Sequence, residues 1–218
     1  MVMADRSEVS TVGTAETVGL LTGLGARVGW ALATAPVTYP WLRSGTPVRS
    51  LLGAFERRSL KELLTYAESL EAPQLRSVEK VIDTAAGMAL PVPWRRGEVH
   101  IEPGEVGGVP GEWVRPASDP SGGTMLYLHG GGYLAAGPHM FRGFVTRLVH
   151  GTGVDAFVAD YRLAPEFPYP AALEDALAVY DQLVGQVDRD NLLVAGDSAG
   201  GGLTAALLAE LGTEGRPH

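Results

Sequence analysis

The stretch NLLVAGDSAGGGLTAALLAEL, residues 191–211, reads as a strand, a tight glycine turn and a helix in immediate succession. Residues 191–195 form an apolar run, which suits a strand covered on both faces of a parallel sheet. Leu203, Leu207, Leu208 and Leu211 then recur at helical spacing. Between the two, Ser198 stands in a GxSxG frame. Gly196 and Gly200 permit a turn sharp enough to lift the serine above the sheet, at the positive end of the following helix. This is the setting of a nucleophile elbow. The frame alone equally fits a glycine turn whose serine caps the helix, so the segments upstream decide between the two.

Upstream, apolar TMLYL (124–128) and VDAFVADY (154–161) alternate with helical stripes at Phe141, Phe144, Val145 and Leu148 and at Leu173, Ala176, Leu177, Tyr180 and Leu183. Apolar strands separated by amphipathic helices predict an α/β fold, a mostly parallel sheet flanked by helices. Residues 97–120 carry shorter β pieces, Val99–Ile101 and Trp113–Val114, separated by EPGEVGGVPG (102–111), read as a loop within a hairpin. Residues 1 to about 90 read as helical. Leu60, Leu63, Leu64, Ala67 and Leu70 form one helix that Pro73 stops, Leu75, Val78, Ile82, Ala85 and Ala89 form another, and PVPW at 91–94 ends it.

Two further motifs sit at strand ends. TMLYL runs into HGGGY (129–133), where consecutive glycines let backbone N–H groups approach a substrate. Two such amides beside the one that follows Ser198 would make an oxyanion hole. A merely flexible glycine loop is the alternative, and a phosphate cradle lacks its GKS or GKT ending. DYRLAPE (160–166) closes the strand between the other two motifs.

On these residues the chain resembles the hormone-sensitive-lipase-like branch of the α/β hydrolases, a family of carboxylesterases and lipases. HGGGY, DYRLAPE and GDSAGG match the family pattern in its order, over about residues 95–212. The resemblance implies a helical cap or accessory region over 1–92 and an incomplete α/β-hydrolase domain over 93–218. It implies that Ser198 is the nucleophile and that the amides of Gly131, Gly132 and Ala199 form the oxyanion hole. It makes His129, with Gly130, a shaper of the glycine loop and not the base. Tyr161, Arg162 and Glu166 become structural, holding loops near the site through hydrogen bonds and an ion pair. Asp197 adjoins the nucleophile, but the sharp turn directs its side chain elsewhere, so a structural hydrogen-bonding role is expected.

A serine hydroxyl needs a base, itself oriented by an acid, and in this fold both follow the nucleophile in sequence. Only Glu210, Glu214 and His218 follow Ser198 here. A helix over 199–211 carries the chain roughly 20 Å away from the serine. His100, His129, His139 and His150 all precede it. The triad acid and base are therefore expected to be absent from these residues, and the chain reads as the N-terminal part of an esterase, weakly active or inactive. The activity implied is hydrolysis of uncharged, short-to-medium acyl esters through an acyl-enzyme, with no metal or organic cofactor. The alternative is a non-catalytic small-molecule-binding protein that keeps the pocket.

The totals agree with a small-molecule enzyme. With 218 residues, 45% of them hydrophobic, the chain can build one good-sized core. A net charge of −8 argues against nucleic acid. The absence of cysteine excludes disulfides, thiolate zinc sites and cysteine nucleophiles. Val18–Ala35 is apolar, yet the acids before it oppose a signal peptide. Glu16, Arg27 and Arg43 leave uncharged runs of 10 and 15 residues, too short for a transmembrane span. A helix buried against its own protein is expected, with peripheral membrane contact through residues 17–35 as the alternative, and a cytoplasmic location.

Overall fold

The computed structural model describes residues 10–38, 61–62, 65–89, 99–117 and 122–215. They fall into two compact units, Ser10–Val78 and a second that contains Glu79–His218. The division lies inside a helix, upstream of the 92/93 boundary expected from the sequence. Leu60, Leu63, Leu64 and the PVPW segment lie outside the described residues.

The first unit holds helix α1 (Thr14–Thr38), a helical turn at 65–68 and the start of α2 (Ala72–Ala89). Pro73 does not end a helix but sits in the first turn of α2, where its missing N–H costs nothing. Gln74 reaches back to accept the Glu71 N–H at 3.1 Å, as in a capping box. The Tyr66 hydroxyl donates to the Leu20 carbonyl at 2.7 Å, and the Arg27 guanidinium lies 5.0 Å from the same ring. Burial of α1 is less than expected: of residues 13–27 only Thr17 is buried, and Val18 is 58% exposed. Glycine, alanine and threonine supply much of that stretch and offer little side-chain area to bury. Among the described residues, no helix is long and apolar enough to cross a membrane.

The second unit is built on a five-stranded sheet of order β1-β2-β4-β3-β5. Strands β1 (Val99–Val106) and β2 (Val109–Pro116) form an antiparallel hairpin that runs through the segment read as a loop. Only Gly107 and Gly108 turn, with φ of 64° and 76°, the two left-handed residues a type I′ hairpin requires. Pro103 is tolerated because β1 is the edge strand. Strand β2 also pairs antiparallel with β4 (Asp155–Ala159), whereas β4, β3 (Thr124–Leu128) and β5 (Leu192–Gly196) are mutually parallel.

Helices cover both faces. Val114, Met125, Tyr127, Ala156 and Val158 point toward Val145 and Val149 of α3 (Pro138–Thr152). Their strand neighbours Leu126, Leu128, Phe157 and Ala159 pack instead on α4 (Ala171–Val184) and α5 (Ser198–Thr213). The period of two along each strand thus splits one apolar run between two cores. From β3 the chain crosses by α3 to β4 on one side, then returns by α4 to β5 on the other. Opposite directions of travel with one handedness place the helices on opposite faces. A cleft therefore opens at the carboxyl ends of β3 and β5, the switch point where such sheets bind ligands. β5 pairs with β3 alone among the described strands, and Leu193 on it is 49% exposed.

Candidate active site

Both motifs that matter emerge into this cleft at the same height, because Leu128 and Gly196, the last residues of β3 and β5, are direct partners. Beyond Gly196 the backbone turns directly into α5. Ser198 adopts φ 48°, a left-handed conformation rare for a residue with a Cβ, and is exposed. Strain of this kind is tolerated only where surrounding structure enforces it. Here the enforcement comes from close contact. A Cβ on Gly200 would stand 2.0 Å from the Leu128 carbonyl oxygen, and one on Gly196 would stand 2.5 Å from Gly200 backbone atoms. Any side chain at either position would push α5 off the end of β3 and open the turn.

Asp197 is the helix N-cap by position, yet its carboxylate does not cap α5. Its Oδ1 accepts instead from the Tyr127 hydroxyl and from the Gly130 N–H, both at 2.9 Å. The acid next to the serine thus ties the start of the glycine loop to the elbow. A Cβ on Gly130 would lie 2.3 Å from Asp197 Oδ2, so the tie requires glycine there. Burial, reinforced by the Asp197 carboxylate, pushes the Tyr127 phenol well above its usual range, which keeps it a neutral donor.

Gly131 and Gly132 follow at φ 129° and 66° and are exposed toward solvent. The Gly131 carbonyl accepts from Leu134 and Ala135 N–H groups at 3.2 and 3.1 Å, which curls the loop back on itself. Ala199 lies in the first turn of α5, whose N–H groups lack helical partners and concentrate positive potential at the serine. Ser198, Ala199, Gly131 and Gly132 therefore share one end of the sheet, on the loops after two adjacent strands.

His129 is fully buried, stacked between Tyr161 (4.3 Å, 15°) and Phe141 (5.7 Å, 26°). Its Nδ1 is 2.8 Å from the Gly130 carbonyl, to which it donates, and its own carbonyl accepts the Tyr161 hydroxyl at 2.5 Å. Arg162 binds Asp175 through Nε at 2.9 Å and through its backbone N–H at 2.7 Å, and reaches Glu174 at 3.0 Å. The hydrogen bonds to Asp175 raise the Arg162 pKa further. Glu166 is part-buried in the 164–166 turn. The carboxylates gripping Arg162 belong to α4, and the motif reading named neither. Asp175 could have been found as an acid on the apolar face of a helix, one residue from Ala176, where burial at 2% exposure demands a partner.

The remaining histidines lie elsewhere. His100 is on β1, four strands from β5, about 19 Å away at the usual spacing. His139 opens α3 between two carboxylates, Asp83 at 2.6 Å and Glu112 at 3.2 Å. His150 is in the last turn of the same helix, roughly 17 Å further along its axis. His218 lies outside the described residues. Among the described residues, no group of three or more histidines or carboxylates is arranged to hold a metal.

Comparison with known proteins agrees with this fold. A family profile described as the α/β hydrolase fold matches residues 125–218. This segment has the α/β hydrolase fold. An acetyl-hydrolase of Streptomyces hygroscopicus is 42% identical over 125 residues, 56% of this chain and 42% of that protein. An ethyl acetate hydrolase of Pseudomonas putida is 37% identical over 106 residues, 45% of this chain and 33% of that protein. The crystal structure of an esterase from the bacterial hormone-sensitive lipase family superimposes with a TM-score of 0.61 at 26% identity, covering 95% of this chain and 55% of that one. The hydrolase segment is thus similar to esterases of the hormone-sensitive lipase family, and its sequence relatives are ester hydrolases. The chain spans well under half the length of the curated relatives it matches.

Proposed function

We propose that this chain carries the nucleophile and oxyanion half of a serine carboxylesterase site for small uncharged esters. The observation that supports it most is Ser198 at φ 48° on the β5–α5 turn, with its neighbour Asp197 holding Gly130 of the glycine loop. In the proposed reaction Ser198 Oγ attacks the ester carbonyl. The Gly131, Gly132 and Ala199 amides stabilise the oxyanion, the alcohol leaves, and water releases the acid from the acyl-enzyme. His129, Tyr161, Arg162 and Glu166 hold the loops, and the helical region 1–92 serves as a cap. Relatives named for acetyl and ethyl acetate hydrolysis favour short acyl groups.

The base is the open element. His129 is buried in an aromatic stack, His139 is held by two carboxylates, and His100 and His150 are remote. We therefore infer that esters are turned over only weakly without a base beyond the described residues. Loss of a triad base costs on the order of 10⁶ in kcat in a comparable enzyme. The test is whether ester hydrolysis by the folded chain becomes dependent on Ser198 once a soluble base is supplied. Saturable ligand binding with no such dependence would favour the non-catalytic binding protein instead. Apolar α1 remains a candidate for peripheral membrane contact through residues 17–35.

A further inference from the structure

The glycine loop curls on its own Gly131 carbonyl but carries backbone strain. Of residues 131–136, Gly131, Gly132, Tyr133 and Ala136 all have φ between 62° and 129°, and Tyr133 and Ala136 carry side chains that disfavour it. Its conformation depends on fastenings from outside. Asp197 fixes its start through the Gly130 N–H, and the Ala164 N–H fixes its middle through the Tyr133 carbonyl at 2.9 Å. Its exit runs into α3, whose N-cap is Gly137 and whose first residue is Pro138, so the helix has no side-chain cap of its own.

The missing cap comes from α2. Asp83, only 13% exposed, accepts the Met140 N–H at 3.1 Å through Oδ1 and holds His139 Nδ1 at 2.6 Å through Oδ2. From the other side His139 Nε2 meets Glu112 of β2 at 3.2 Å, and Arg142 grips the same carboxylate through two nitrogens. Asp83 also lies close against Gly137, where a Cβ would come within 3.3 Å of Oδ1. A carboxylate at a helix N-terminus is favoured by the helix dipole, so the contact has both a charge and a hydrogen-bonding reason.

We propose that Asp83 is a positioning residue for the glycine loop: by capping α3 from another helix it fixes the loop's exit and, through it, the amides of Gly131 and Gly132. The proposal rests on the reading of those amides as oxyanion donors, and its test separates the two. Hydrogen exchange is measured on peptides covering 130–140 and on peptides covering β3 and β4, in the wild type, Asp83→Ala and Asp83→Asn. Asn keeps an oxygen for the Met140 N–H and offers an amide to His139. The expected result is about tenfold faster exchange in 130–140 for Asp83→Ala, unchanged β3 and β4, and recovery in Asp83→Asn. Unchanged exchange in 130–140, a uniform increase everywhere, or no recovery with Asn would overturn the proposal. If the wild type shows Ser198-dependent ester hydrolysis with added imidazole, Asp83→Ala should lower kcat about tenfold at constant KM, because an oxyanion donor acts in the transition state. If the wild type shows none, the functional reading fails while the exchange result still decides the role of Asp83.

Discussion

Replacing Gly200 by alanine should disrupt the elbow out of proportion to one methyl group. The added Cβ would stand 2.0 Å from the Leu128 carbonyl oxygen and 2.6 Å from that of His129. Comfortable contacts lie near 3.5 Å, so α5 must retreat from β3 by about 1 Å or more. Both obstructing atoms are backbone at the end of a buried strand, so no rotamer change relieves the clash. Overpacking of this kind costs about 3 kcal/mol, and the helical preference of alanine over glycine offsets about 1 kcal/mol of it. The net loss is about 2 kcal/mol. Gly143 in α3 is the control, because its Cβ would meet nothing within 4 Å, and Gly143→Ala should gain up to about 1 kcal/mol. Urea unfolding followed by circular dichroism measures both. With an m-value of about 2 kcal/mol/M, Gly200→Ala should lower the midpoint by about 1 M and Gly143→Ala should raise it by about half that. Equal or higher stability for Gly200→Ala would refute the close approach of α5 to β3 on which the elbow depends.

Asp197→Ala removes the acceptor for both the Tyr127 hydroxyl and the buried Gly130 N–H; a loss of about 2–4 kcal/mol in urea unfolding is expected, with Asp197→Asn intermediate because it keeps one oxygen. The Tyr127 phenol has a raised pKa when folded, so the native state holds its proton longer than the unfolded state. Its contribution is complete below the unfolded value of about 10 and is lost as pH rises above it. Alkaline unfolding should accordingly show a steeper loss of stability in the wild type than in Tyr127→Phe.

Much of the central sheet was legible in the residues. TMLYL and β3 coincide at 124–128, and the apolar runs at 154–161 and 191–195 contain or overlap β4 and β5. These strands are covered by helices, so their sequences are continuously apolar and bounded by glycine or polar residues. The hairpin is legible, but its strands run further than the sequence suggests, because Pro103, Gly104, Pro110 and Gly111 look like loop residues. In fact Pro103 lies on an edge strand, and the two glycines face each other to leave room for the Trp113 and Phe157 rings, which meet tilted with centroids 5.2 Å apart. The motifs located Ser198 and the glycine loop by position. What they could not give is the set of contacts holding them: Asp197 to Gly130, Arg162 to Asp175 and Asp83 to Met140 join residues 13 to 67 positions apart, between elements whose packing is set only by the tertiary fold. Local periodicity carries no information about such pairs.

The proposed reading is that Ser198 and the glycine loop form a competent nucleophile and oxyanion hole, and that no histidine among the described residues is placed to serve as their base. Initial rates of p-nitrophenyl butyrate hydrolysis, measured for the folded wild type and Ser198→Ala with and without added imidazole, test it directly. No Ser198-dependent turnover is expected without imidazole, and with it a rate about tenfold or more above that of Ser198→Ala under the same conditions. Robust Ser198-dependent turnover without imidazole would show that a base lies within the chain, and equal stimulation of both proteins would show that Ser198 is no nucleophile.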